Sequence, residues 1–420
     1  MKKSARVAAL LLLALAAYLS LWPVPVRPVS WEAPAAPGYV GVHAPNKRLS
    51  RLQMIPLGVE EGPEHIVLAR DGKLYVAMAS GNIMRMNPDG SAQEVFANTG
   101  GRVLGFDFDA AGYLIAADAI KGLLSISPDR RITVLADKVG GDPIRYADAV
   151  VVAGNGKIYF SDASARFAPS QWGGTFEASV LDIIEQSATG RILEYDPVSK
   201  ATRIVAKGFS FANGVALSRD EQTLFVNETG KYRVWKIDVA ATNLDVAGGA
   251  PQASILFDNL PGYPDNLMRG LDGKIWLGFA KPRTPAADWM ADKPFLRQVA
   301  LRLPRALVAI LAGGALAGMT ELASLKFRSP SITDEGLAHL AGLKKLKGLH
   351  LEDAKVTDDG MKVLGGLTAL EDVSLLRVTI TDYGMEPLAA LKNMKQLVLR
   401  GTWVSDDGMQ HLEYRYGPIK

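Results

Sequence analysis

Residues 261–266 read Pro-Gly-Tyr-Pro-Asp-Asn. Two prolines fix the backbone on either side of Gly262 and Tyr263. They set the carboxylate of Asp265 and the amide of Asn266 at the mouth of an apolar stretch. Glu64, Asp148 and Asn213 stand in comparable places, each just before an apolar, strand-like run. Carboxylates crowded together repel one another unless a cation is present. An all-oxygen set selects a hard cation, calcium first, then magnesium or manganese. Turn closure is the competing role for any one of these residues, because Asn and Asp commonly close turns at strand starts.

The elements that must position them repeat along the chain. From His65 the sequence runs HIVLARDGKLYVAMASGNIMRMNPDGS, and from Gly105 GFDFDAAGYLIAADAIKGLLSISPDRR. Similar units follow at residues 149–164 (continued at 190–200), from Gly214 and from Asn266. Each joins short apolar strands through tight turns carrying Gly or Asp, a hairpin pattern. A multi-strand repeat of about 40 residues predicts β-propeller blades. A second repeat follows: Thr333, Thr357, Thr381 and Ser405 lie 24 residues apart, each followed by Asp, with Gly336, Gly360, Gly384 and Gly408 in step. Leu340, Leu364, Leu388 and Leu412 keep the same step. This is a leucine-rich-repeat pattern, one strand and one short helix per turn, with the (T/S)-D-x-G element as a helix N-cap.

The motifs EGPEHI (61–66), YADAVVV (146–152) with KIYFSDAS (157–164), FSFANGVALS (209–218) and PGYPDN (261–266) make the first system resemble the strictosidine synthase-like proteins. These lie within the wider gluconolactonase, senescence-marker-protein and paraoxonase group of six-bladed propellers. The resemblance covers about residues 1–305. It implies that Glu64, Asp148, Asn213 and Asp265 converge at one end of the axial channel and hold a divalent metal, with Asn266 in support. With a cation polarising an ester or lactone carbonyl, Asp265 or Asp148 is the candidate proton acceptor. His65 adjoins Glu64, but strand alternation predicts that it faces away from the channel. The insertion at 165–189, with Phe167, Trp172 and Phe176, is a candidate lid or pocket wall, or an ordinary packed loop and helix.

Five blade starts are present rather than six. After Ala280 the chain resembles the helical segment that precedes the family's last blade, and then the leucine-rich repeats begin. Residues 52–57 could supply part of a sixth blade. In plant strictosidine synthases the condensing glutamate lies in the final blade, which has no counterpart here, so the synthase reaction is not expected.

The expected fold is therefore mainly β: a six-bladed-type β-propeller with its last blade missing or replaced (51–300), a linker helix (301–318) and a short α/β leucine-rich-repeat solenoid (319–415). Basic MKKSAR and the apolar run 7–22 mark residues 1–26 as a signal peptide or a membrane anchor, with residues 27–50 as a Pro/Ala-rich tether. The apolar run continues past the candidate cleavage site at 14–16, which favours an anchor and places the rest in the periplasm or outside the cell. Among 420 residues the net charge is only +3, with no basic stripe, so nucleic acid is not an expected partner. The absence of cysteine excludes disulfides and thiolate metal sites. The region 106–112 begins like a calcium loop but lacks the later glutamate of an EF-hand and reads as a hairpin. His339, His350 and His411 read as repeat-surface residues. Two functions follow: a calcium-dependent lactone or ester hydrolase, or a non-catalytic, membrane-anchored scaffold binding a protein through the leucine-rich repeats. His350, Ser374 and Val398 would lie exposed on the concave side of those repeats.

Overall fold

The computed structural model describes residues 13, 15–46, 55–58, 60–303, 324–328, 332–338, 340–405 and 407–408. The chain forms two compact units, residues 25–298, and residues 299–420 together with 1–24.

The described residues of the 25–298 unit build five successive multi-strand sheets, antiparallel except where the edge strand Leu244–Asp245 pairs in parallel with Ala201–Phe209, and a short hairpin of Lys138–Val139 with Asp142–Pro143. Their innermost strands are Ile66–Leu68, Val103–Phe108, Ala147–Val152, Ala212–Leu217 and Gly262–Arg269. The first, second and fourth sheets have four strands, the third has five and the fifth only two, Gly262–Arg269 and Ile275–Pro282. The hairpins repeat one device. Asp71, Asp109, Asn155 and Asp272 each accept a backbone N–H two residues on, from Lys73, Ala111, Lys157 and Lys274, an Asx turn that closes the first two strands. The cores lie between neighbouring sheets: Phe106, Leu114, Leu124 and Ile126 in one cluster, Phe160, Leu193 and Tyr195 in the next, Ile192, Phe209, Val226 and Trp235 in a third.

Residues 55–57 add no strand to a sixth blade. Ile55 and Leu57 instead pack on the Val76, Met78 and Met86 cluster of the first sheet; residues 51–54 lie outside the described residues. The segment expected as a tether is packed from Pro25 to Ala35. Its carbonyls accept from Arg166 (Pro25 O), Arg283 (Pro34 O) and Asn259 (Ala35 O), and Trp31 stacks on Tyr232 at 5.7 Å. A proline-rich strip has few N–H groups to satisfy and a row of free carbonyls, which suits it to accept from arginine side chains.

In the other unit, strands Ser324–Arg328, Gly348–Glu352, Asp372–Leu376 and Gln396–Arg400 pair in parallel with a constant 24-residue offset. Short helices such as Asp358–Gly365 intervene, and leucines 337, 340, 343, 346, 349 and 351 begin one continuous core. The recurring Asp does more than the expected capping. Thr357 Oγ1 accepts from Asp359 N as an N-cap, but Asp334 reaches the next repeat and accepts from Thr357 N (2.9 Å) and Oγ1 (2.6 Å). Asp358 does the same to Thr381, and Asp382 to Ser405. The recurring glycine is what admits that carboxylate. A Cβ on Gly360 would lie 2.3 Å from Asp334 Oδ1, and one on Gly384 2.6 Å from Asp358 Oδ1. His350, Ser374 and Val398 share one row of the sheet, but Ser374 is buried and the other two half-buried, contrary to their expected exposure. The linker helix expected at 301–318 lies largely outside the described residues, as do His339, His411 and Leu412. Residues 1–12 and 14 of the expected anchor also lie outside them. Among the described residues no helix is long and apolar enough to cross a membrane; the helical stretch ending at Leu21 is held by Arg302, which donates to Leu19 O and Trp22 O.

Candidate metal centre

Of the residues expected just before the innermost strands, Glu64 stands there, whereas Asp148, Asn213 and Asp265 lie within their strands, each on a repeated bulge. In the third sheet Asp148 and Ala149 oppose one residue, Ser161; in the fourth Asn213 and Gly214 oppose Asn227; in the fifth Asp265 and Asn266 oppose Gly278. The first sheet shows the same two-against-one pattern just ahead of its strand: Glu64 N donates to Ala77 O while Ala77 N donates to His65 O. In the second sheet the equivalent residue is Leu104, buried and apolar. A β-bulge turns the strand and re-aims its side chains. That is why alternation fails at His65: its ring lies against Phe106 and lines the axial cavity.

Buried acids hold the approach to three of these bulges. Asp118, Asp162 and Glu228 end the second strands of the second, third and fourth sheets. They accept from Arg102 N (3.1 Å), Tyr146 N (2.8 Å) and Ser210 N (2.9 Å), at the entry of the innermost strand. Sequence reasoning passed over them; the signal was a lone acid closing an otherwise apolar strand (IAAD, YFSD, FVNE).

The candidates come together as follows. Asn213 Nδ2 donates to Asp265 Oδ1 at 2.8 Å. Asn227, also missed from sequence, donates from Nδ2 to Asp265 O at 2.6 Å. Asn266 Nδ2 donates to Glu64 O at 3.3 Å, joining the fifth sheet to the first. Arg102 pairs with Glu64 at 3.1 Å. Asp148 is buried, and its carboxylate has no hydrogen-bond donor among the described residues. Burial, and then repulsion from Asp265 and Glu64, hold its pKa well above the usual carboxylate range. Burial raises Glu64 as well, with Asp265 adding and Arg102 opposing, and it raises Asp265 against the Asn213 hydrogen bond. Burial lowers His65 to about 4, so it is neutral near pH 7.

Among the described residues no three His, Cys, Asp or Glu side chains form a metal-spaced group. The donor chemistry nonetheless fits a hard cation. The carboxylates feel one another's charge, and the buried Oδ1 atoms of Asn213 and Asn227 have no partner among the described residues, a costly state for an acceptor. The 165–189 insertion forms helices Pro169–Trp172 and Thr175–Glu185. Phe167 is buried against Trp172 at 5.7 Å, Phe176 is exposed, and Tyr146 Oη donates to Thr175 O.

Sheets arranged around an axial cavity, with polar residues on equivalent innermost bulges, define a mainly β, propeller-like protein. Comparison places it within that class. Residues 41–86 match the family model "Strictosidine synthase-like, N-terminal" and residues 148–241 match "Strictosidine synthase". The strictosidine synthase-like 10 protein of Arabidopsis thaliana is 31% identical over 274 residues, covering 60% of this chain and 70% of that one. The strictosidine synthase-like 4 protein of the same plant is 34% identical, covering 60% and 65%. The adipocyte plasma membrane-associated protein of Rattus norvegicus is 28% identical, covering 66% and 76%. The chain belongs to the strictosidine synthase-like family. It spans 65% of the length of the first curated relatives it matches. Among solved structures, a gluconolactonase from Xanthomonas campestris aligns with TM-score 0.42 and 17% identity, covering 62% of this chain and 83% of that one.

Proposed function

We propose that the 25–298 unit is a divalent-cation-dependent hydrolase of lactones or esters, with calcium as the cation. The observation that carries the proposal is the set of oxygen donors on equivalent bulges of different sheets, where, among the described residues, no donor reaches the Asp148 carboxylate or the buried Asn213 Oδ1. Glu64, Asp148, Asn213 and Asp265 would hold the cation, with Asn266 in support. When bound, it supplies polarisation of the ester carbonyl and stabilisation of the oxyanion. Asp148, free of hydrogen-bond donors, takes the proton of the attacking water. Asp265, steadied by Asn213 at Oδ1, is the alternative acceptor through Oδ2. The synthase condensation is not proposed, because the sheet that would carry its glutamate is not built by the described residues.

Elemental analysis of the purified full chain tests this reading. About one calcium per chain is expected, as for a single oxygen-ligand site, lost in Asp265→Ala together with lactone and aryl-ester turnover. No bound metal after calcium loading would sink it. A second reading has the 24-residue repeats as a leucine-rich, protein-binding surface on a non-catalytic scaffold. It is favoured by the regular parallel sheet with its constant 24-residue offset. The basic-then-apolar N-terminus, and a relative named for the plasma membrane, support a membrane-anchored protein facing the periplasm or cell exterior. Membrane fractionation with protease protection checks that placement.

A further inference from the structure

The axial cavity, about 640 Å³, runs along the C-terminal parts of all five innermost strands, beyond the bulges that carry the acids. One apolar residue from each sheet forms its wall: Val67, Phe106, Val150, Val215 and Leu267. Its size lies within the range of small-molecule sites. At one side Arg219 and Arg269 flank a single turn. Arg269 Nη1 donates to Gly273 O at 2.7 Å, and Arg219 Nη2 lies 3.6 Å from where a Cβ on Gly273 would stand. Both arginines are exposed, and neither has a carboxylate partner among the described residues. The acids on the wall are engaged elsewhere: Asp107 accepts from Val152 N and Phe108 N, and Glu221 from Gly154 N. The same two arginines border a second, mostly apolar cavity of about 340 Å³. An apolar tube edged by two guanidinium groups that pair with no carboxylate among the described residues is complementary to an amphipathic anion. Guanidinium groups favour carboxylates through paired N–H donors.

We propose that this cavity binds a medium-chain aliphatic carboxylate. Its head rests on Arg219 and Arg269 and its chain extends along the axial wall, in a site separate from the acid-bearing bulges. The imidazole of His65 belongs to that wall, edge-on to Phe106.

The test is displacement of 11-(dansylamino)undecanoate from the full-length protein by straight-chain carboxylates of six to twelve carbons, by decanol and by decyltrimethylammonium. Saturable probe binding is expected, with displacement improving about fourfold per added methylene until the cavity is full, and decanoate at least tenfold better than decanol. Arg219→Glu, at an exposed side chain with no hydrogen-bond partner among the described residues, should weaken decanoate at least tenfold while leaving the melting temperature unchanged. Val215→Trp should remove binding by filling the cavity, and Asp265→Ala should leave it intact, which separates this site from the metal centre. Equal binding of decanol and decanoate, or no effect of Arg219→Glu, overturns the arginine assignment. Undiminished binding in a folded Val215→Trp protein, or no saturable binding at all, overturns the site.

Discussion

The two repeat systems use their polar residues in opposite ways. In the 24-residue repeats each Asp is bonded to the hydroxyl and backbone of the next copy, and each Gly leaves room for the carboxylate of the previous one. Every copy is alike because its partner is another copy, as expected for a stacked array. In the five sheets, the acids that close the second strands behave similarly, holding Arg102, Tyr146 and Ser210. The bulge position is different. It carries Glu64, Leu104, Asp148, Asn213 and Asp265 in turn, and three of those five are acids raised by burial in one another's field. Uniformity marks a position that builds the array. Variation at a fixed geometric position is where the proposed cation site lies.

The sharpest way to break this contrast is at a structural acid. Asp162 pairs with buried Arg191 at 2.9 Å and accepts from Tyr146 N. Asp162→Ala should cost about 3 kcal/mol, because it leaves buried Arg191 with only the more exposed Asp142 as a carboxylate partner and orphans the buried Tyr146 N–H, read as the midpoint shift in urea. Next, Gly384→Val sets side-chain atoms against Asp358, whose Oδ1 lies 2.6 Å from the new Cβ, and Met361. A loss of about 3 kcal/mol in the repeat unit is expected, measured by hydrogen exchange at its strand amides, with calcium binding unchanged. Asp148→Asn should act in reverse. Its folded pKa lies above its unfolded one, as do those of Glu64 and Asp265, so the folded state holds more protons. With chelator present, stability contributed by these groups therefore falls as pH rises from the ordinary carboxylate range through the raised values. Asp148→Asn should raise the chelated melting temperature by a few degrees, flatten that slope and shrink the gain from added calcium. A variant that melts lower than wild type in chelator would remove Asp148 from the list of repelling acids. The smallest effect belongs to Thr357→Ala, which deletes one exposed N-cap together with the Oγ1 bond to Asp334 and should cost about 1–2 kcal/mol by thermal melting.

The 24-residue register could be read from the chain because one strand and one helix repeat without insertion, so sequence spacing equals spatial spacing. Five blade starts were legible through the tight turns that follow them, four of which close as Asx turns, at Asp71, Asp109, Asn155 and Asp272. The oxygen-bearing candidates were also legible as polar residues interrupting apolar runs. Three outcomes were not. The bulges that put His65 on the cavity wall depend on cross-strand pairing, which a period-two pattern does not encode. The packing of residues 25–35 depends on arginines far along the chain, which give those carbonyls their donors. The pairing of Arg219 with Arg269 across one turn joins residues from different sheets.

Sequence by itself therefore determined the local grammar: which segments are strands, where turns close, and which residues could ligate a cation. Tertiary structure alone decided which of those residues share a space, because convergence at a propeller axis brings together residues up to about two hundred positions apart, as Asn266 and Glu64 are, and closing such distances depends on the packing of every sheet between them.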